Sequence, residues 1–210
     1  MPVTRKGGDR EGRRKGSAPR QIATIVVAVA VALAARSSLA DHYVVPSGSM
    51  LPTVHEGDRI VVNKLAYGFR LPFTRLFLIE GHGPNRGDVV VLLSPESGIV
   101  LLKRVVACPG DTIEVVGGHL VINGRRLPVT DHDGQLMEEL GGSLHPVRLT
   151  RGGGPDFGPE VIPAGRYLVL GDNRGDSRDG RIFGLVERNA ILGQAIASYY
   201  RSGELGWFPL

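Results

Sequence analysis

One cysteine in 210 residues, Cys108, leaves no partner for an intrachain disulfide and rules out a Cys-based zinc site. The chain has no Gly-x-Ser-x-Gly elbow and no His-Glu-x-x-His pair, so it shows neither of those signatures for a hydrolase or a zinc protease. Aromatic residues are scarce, at 6%, while glycine (30) and proline (14) are plentiful. That balance predicts many turns, few long helices and a mostly β fold. A broad basic surface is also missing. The net charge is +4, but residues 1–20 hold seven Lys/Arg against two acids, a local excess of five that leaves the body close to neutral. A near-neutral body with a basic tail does not suit nucleic-acid binding, so no nucleic-acid partner is expected.

A charge-free run of membrane-spanning length is lacking too. Ile22 to Ala35 is only 14 residues, about 21 Å as a helix against a hydrocarbon core of roughly 30 Å. Extension to Ala40 gives about 28 Å if Arg36 reaches up to the headgroups. The basic flank then stays cytoplasmic and the rest of the chain faces outward. The same features describe a cleavable leader, with Ser38-Leu39-Ala40 as a small-x-small site. Both readings export residues after Ala40, and the sequence leaves the choice open.

Gly57-Asp58 leads into a strand at Arg59–Val62, and Gly87-Asp88 opens the apolar run Val89–Leu93, expected as a buried strand. Leu71–Arg86 reads as a connecting loop or arm. Ile99–Ala107 is a further apolar strand, interrupted by Lys103-Arg104, and Thr112–Val116 starts the next. Asn123-Gly124 between apolar-rich flanks predicts a two-residue hairpin. From 128 to 163 the pattern fades into Gly, Pro, His and acid, which predicts an irregular insertion or small lobe. Ile191–Tyr199 fits a strand or a short helix equally well. The organisation expected is a basic tail (1–20), an apolar segment (21–40), a β core (41–127 and 164–210) and an inserted lobe (128–163).

Pro46-Ser47-Gly48-Ser49-Met50-Leu51-Pro52-Thr53 places Ser49 on a stiff turn just after the apolar segment. A serine hydroxyl is protonated at neutral pH and needs a base. None of the six histidines (42, 55, 82, 119, 132, 145) lies in a triad-like motif, and His82, His132 and His145 read as solvated loop residues. Lysine is the alternative, because burial disfavours its charged form. Lys103 is embedded in an apolar strand, where it is either a buried base or simply the solvent-facing residue of that strand. Gly171–Arg181 alternates Asp172, Asp176 and Asp179 with Arg174, Arg178 and Arg181. Such a run can be a solvated loop; as a calcium loop it fits poorly, since Arg174 falls where a ligand is needed.

Four blocks in order carry a resemblance: Pro46–Thr53, Gly57–Lys64, Lys103–Asp111 and Gly171–Arg181. Together they resemble the type I signal peptidases, Ser/Lys endopeptidases of membranes. The resemblance implies a mostly β, signal-peptidase-like catalytic core with a small inserted lobe, preceded by one transmembrane helix. It implies Ser49 as nucleophile and Lys103 as base. Ser47 would assist the oxyanion hole and Ser177 would orient the lysine. Val45 and Leu102 would line pockets for small substrate side chains, and Asp172, Asp179, Arg181 and Arg104 would hold the last loop. No cofactor and no metal are implied. The implied partners are preproteins with signal peptides and the lipid bilayer, acted on by a monomer. The implied setting is the cell (inner) membrane, single-pass, with a cytoplasmic N-terminus and the catalytic domain outside. Two departures stand in the last block: Gly180 where many members have Ser, and Gly175-Asp176 in place of a more usual Asp-Asn. Rival readings are another Ser/Lys protease of similar core and a non-catalytic exported β module.

Overall fold

The computed structural model describes residues 21–29, 40–71, 74 and 76–210. The basic tail, Arg36, and Ser38-Leu39 of the small-x-small site lie outside the described residues. Residues 21–29 are helical, and among the described residues no helix is long and apolar enough to cross a membrane. Ala40, the last residue of the expected anchor, opens a strand instead. Ala40–Val44 pairs antiparallel with Arg59–Asn63, Ala40 opposite Asn63.

An eight-stranded antiparallel sheet forms the frame. Its path runs Ala40–Val44, Arg59–Asn63, Ile191–Arg201, Val89–Leu93, Val100–Ala107, Arg166–Leu170 and Val186–Glu187, with Glu204–Pro209 paired to Ile191–Arg201. The closing segment is therefore a strand. It pairs on both sides and lies so close to its neighbour that a Cβ at Gly193 would sit 2.7 Å from Asn63 O.

Val89–Leu93 is apolar throughout because both of its faces are covered. Val89 and Val91 pack with Val45, Met50, Val54, Ile60 and Val62, whereas Val90 and Leu92 pack with Tyr67, Val105, Tyr167 and Val169. Alternation of side chains across a strand divides one continuous run between two cores.

The second half of the molecule is smaller sheets around a third core of Val106, Ile113, Leu120, Leu140, Ile162 and Leu168. Asn123-Gly124 forms the expected hairpin turn, both residues at positive φ (53° and 76°), joining His119–Ile122 to Arg125–Arg126. The stretch 128–163 is more regular than its sequence suggests. It contains the strands Val129–His132, Gln135–Leu140 and Ser143–Val147, which form a meander, and Phe157–Val161, which pairs with Thr112–Val116. Part of the expected arm also pairs, as the ribbon Gly68–Arg70 with Phe77–Glu80.

Candidate active site

Ser47 is extended (φ −149°, ψ 156°), and Gly48–Met50 closes into a single 3-10 turn in which the Leu51 N–H donates to Gly48 O at 3.1 Å. Met50 and Val54 are fully buried beneath this turn, so the apolar core fixes its floor and leaves Ser49 on the rim. Gly48 is tightly approached as well, since a Cβ there would lie 2.9 Å from the Leu51 side chain.

The strand Val100–Ala107 brings Lys103 to this rim. Lys103 pairs with Val90 and shares its face with Leu101 and Val105. Apolar neighbours on both sides leave it 2% exposed. Its Nζ lies 2.6 Å from Ser49 Oγ, a contact between residues 54 positions apart. Among the described residues it makes no ion pair. Burial pulls its amine down to about 8, against the opposing pull of the Asp179 and Asp172 charges. Of the two readings left open for Lys103, the structure places it inside, not on a solvent face.

Arg104, one residue on, points to the other face and meets a different fate. Its guanidinium grips Asp172 at both oxygens (2.9 and 2.8 Å) and donates to Gly87 O at 2.7 Å. Thr53, from the serine turn, donates to the same carboxylate at 2.5 Å. Burial pushes the Asp172 carboxyl up, but Arg104 and Thr53 outweigh it and hold the group below its ordinary range. Serine turn, lysine strand and final loop thus meet on one carboxylate.

The final loop is a second set of buried bonds. Asp179 caps the short helix Gly180–Phe183, accepts from Arg181 Nε and Nη2 at 2.8 Å, and accepts from the Gly171 N–H at 3.0 Å. Arg181 in turn donates to Gly153 O and Arg174 O, both at 2.6 Å. Gly171 has no room for a side chain, since a Cβ would lie 2.3 Å from Ser177 Oγ and 2.4 Å from Ser49 O. The two departures in this block have local reasons. A Cβ at Gly175 would lie 1.6 Å from Thr150 O, and one at Gly180 would lie 2.7 Å from Leu168 Cδ1, so longer side chains do not fit this packing.

The structure brings some implied residues together and leaves others apart. Ser47 Oγ is 3.5 Å from Ser49 Oγ, at the limit of a hydrogen bond. Ser177 Oγ is buried near the serine turn yet has no hydrogen-bond partner among the described residues, so no bond joins it to Lys103. Val45 is buried, Leu102 half-buried, and both belong to the apolar cluster with Met50 and Val54. They do not line the open cleft of about 860 Å³ that holds Ser47, Ser49, Leu101 and Lys103. A depression of about 900 Å³ bounded by His82, Arg86 and Cys108 contains neither Ser49 nor Lys103 and is separate from this chemistry.

Two residues were missed or misplaced by sequence reasoning. Asn173 received no role, yet its N–H donates to Ser49 O and its Nδ2 to Gly48 O, both at 3.1 Å. Its only signal in the sequence is its place in the Gly-Asp-Asn run. His145 is not a solvated loop residue, as its polar surroundings suggested. It is 5% exposed on the strand Ser143–Val147, with Nε2 3.4 Å from Glu138 Oε2, in ion-pair range without hydrogen-bond alignment.

A serine and a buried lysine in contact on a β frame can be set beside known proteins. The family model described as signal peptidase, peptidase S26, matches residues 19–200. A signal peptidase I from Leptolyngbya laminosa is 34% identical over 196 residues, covering 88% of this chain and 82% of its own. One from Bacillus licheniformis is 31% identical over 200 residues, covering 94% and 96%. A solved signal peptidase I from Enterococcus faecalis V583 aligns over 53% of this chain and 95% of its own, with 28% identity and a TM-score of 0.39, too low to bear on the fold. With nearly the whole sequence inside the family match, the chain belongs to the signal peptidases of peptidase family S26.

Proposed function

We propose that this protein is a membrane-bound endopeptidase that removes N-terminal signal peptides from exported preproteins after small residues (Ala-x-Ala), through a Ser49/Lys103 dyad and an acyl-enzyme. The observation that carries the reading is the 2.6 Å contact between Lys103 Nζ and Ser49 Oγ, made by a lysine that burial pulls down to about 8. At pH 8 about half of such amines are neutral, against under about 1% for an ordinary lysine.

Neutral Lys103 accepts the Ser49 proton as Oγ attacks the scissile carbonyl. The ammonium so formed protonates the departing amine, and the regenerated amine then takes a proton from the water that hydrolyses the ester. The Ser49 N–H and the Ser47 hydroxyl stabilise the oxyanion. Leu51, Ile99 and Leu101 line the cleft and present the apolar surface against which small side chains are selected, in place of Val45 and Leu102, which pack into the core with Met50. Ser177 orients the lysine once substrate is bound. Asp172, Arg104, Asp179 and Arg181 hold the loop behind the dyad. Every group in this scheme belongs to one copy of the chain, and a monomer acting without a metal is part of the proposal. The segment ahead of the Ala40 strand anchors the enzyme, residues 1–20 stay cytoplasmic, and the core (from Ala40 to 127, and 164–210) with its lobe (128–163) faces outward, where substrates tethered by their own signal peptides reach it.

The test is cleavage of a detergent-solubilised preprotein whose signal ends in Ala-x-Ala. Wild type is expected to cut after the final Ala, while Ser49→Ala and Lys103→Ala are expected to be inactive. Activity in either variant would sink the dyad, and activity lost only on replacing a histidine would point to a different hydrolase. A protease-protection assay on inverted and right-side-out vesicles tests the topology.

A further inference from the structure

The segment between Pro128 and Pro163 supplies none of the reacting groups, yet it meets the final loop along its length. The Arg148 N–H donates to Asp172 O at 2.8 Å, and Arg148 bridges Asn173 in parallel. Gly153 O receives Arg181, and Gly175 lies flat against Thr150 O. At the centre of this contact is Arg174, 1% exposed, whose guanidinium leaves its own loop. Nη1 donates to Gly118 O at 2.6 Å and to Glu138 Oε1 at 3.2 Å, and Nη2 donates to Glu138 Oε2. Glu138 is fully buried on the strand Gln135–Leu140. Burial pushes its carboxyl up, but the Arg174 charge and the hydrogen bonds it accepts outweigh that and hold it ionised.

From this pair the connection to the nucleophile is short. Arg174 is fixed at its guanidinium by Glu138 and at its carbonyl by Arg181. The preceding residue, Asn173, holds the carbonyls of Gly48 and Ser49. We propose that Glu138 is a positioning residue for the peptidase: by clamping Arg174 to the inserted lobe it sets the backbone that aims Ser49. This inference rests on the Ser49/Lys103 reading above. A merely stabilising role is the poorer account, because well-packed apolar replacements of a buried ion pair commonly match or exceed its stability. The use left to such a pair is to specify one arrangement of the groups it joins.

The experiment compares kcat, KM and melting temperature for wild type, Glu138→Gln and the double variant Glu138→Met/Arg174→Met on the same preprotein, with Ser49→Ala in parallel. Glu138→Gln is expected to lower kcat about tenfold or more with KM within about twofold, the signature of a misaimed nucleophile. The double variant is expected to regain the wild-type melting temperature while kcat stays low. Recovery of kcat together with the melting temperature would overturn the proposal, because the pair would then act through stability alone. Unchanged kcat in Glu138→Gln, or failure of both variants to fold, would overturn it equally. Cleavage by Ser49→Ala would instead refute the nucleophile assignment, so the two failures are told apart.

Discussion

Lys103 and Arg104 are neighbours on one strand, both basic residues and both buried, and they are treated in opposite ways. Arg104 is given a carboxylate, a backbone carbonyl and a fork geometry that fills both oxygens of Asp172. Lys103 is given apolar walls and a serine hydroxyl, with no ion pair among the described residues. Burial without a counterion disfavours the charged form, whereas burial with one preserves it. On the proposed reading, one face of the strand makes a proton acceptor and the other a permanent strut.

The contrast predicts unequal effects on exchanging the two cations. Lys103→Arg should be the most damaging change, because guanidinium stays protonated at all working pH values. Preprotein cleavage is expected to fall by about 10³-fold or more, in the range for loss of a general base. Retention of activity within about tenfold would show that no deprotonated amine is needed. Asp172→Asn breaks the strut instead and strands Arg104. Its cost, read by denaturant unfolding, is expected to be about 3–5 kcal/mol, and because the Asp172 charge pulls the Lys103 amine upward, the pH profile of enzyme that remains folded should shift to lower pH. Ser47→Ala removes the proposed oxyanion donor and is expected to lower kcat about 10²-fold with KM little changed. If the loss fell in KM alone, Ser47 would be a binding residue only. Arg104→Lys should be mildest, at about 1–2 kcal/mol of stability, since the charge survives and the fork does not.

The pH profile sharpens the same comparison. With a folded-state value near 8, Lys103 is mostly protonated below it and, on the proposed reading, is then no base. The log of kcat/KM is expected to rise with unit slope up to about pH 8 and then level. The unfolded lysine titrates near 10.4 and binds more protons between the two values, so stability rises with pH across that window. Neither feature should move in Arg104→Lys.

The legible parts of the molecule were local ones. The Asn123-Gly124 turn, the doubly buried run Val89–Leu93 and the stiff turn at Ser49 each announce themselves within a few residues. Lys103 was ambiguous because a lone cation in an apolar strand reads equally as solvent-facing; only its partner 54 residues away decides the matter. Asp172, Asp179 and Arg181 were reached through the family resemblance, since their bonds cross the fold. The meander in 128–163 was obscured because its strands are short and largely exposed, so little apolar alternation survives; Val129–His132 has three exposed residues of four. Glu138 looks like an ordinary surface residue until Arg174, 36 positions on, folds over onto it, and His145 is read correctly only once that buried carboxylate is seen beside it.

The central claim is that burial lowers the Lys103 amine far enough for it to serve as a base. The chain has only four lysines, at 6, 15, 64 and 103. Detergent-solubilised protein carrying isotope-labelled lysine can therefore be titrated by NMR, with the Lys103 resonance assigned by its loss in Lys103→Arg. The account predicts that this resonance titrates with a midpoint of about 8. A midpoint at or above about 10.4, in line with an ordinary lysine, would contradict it.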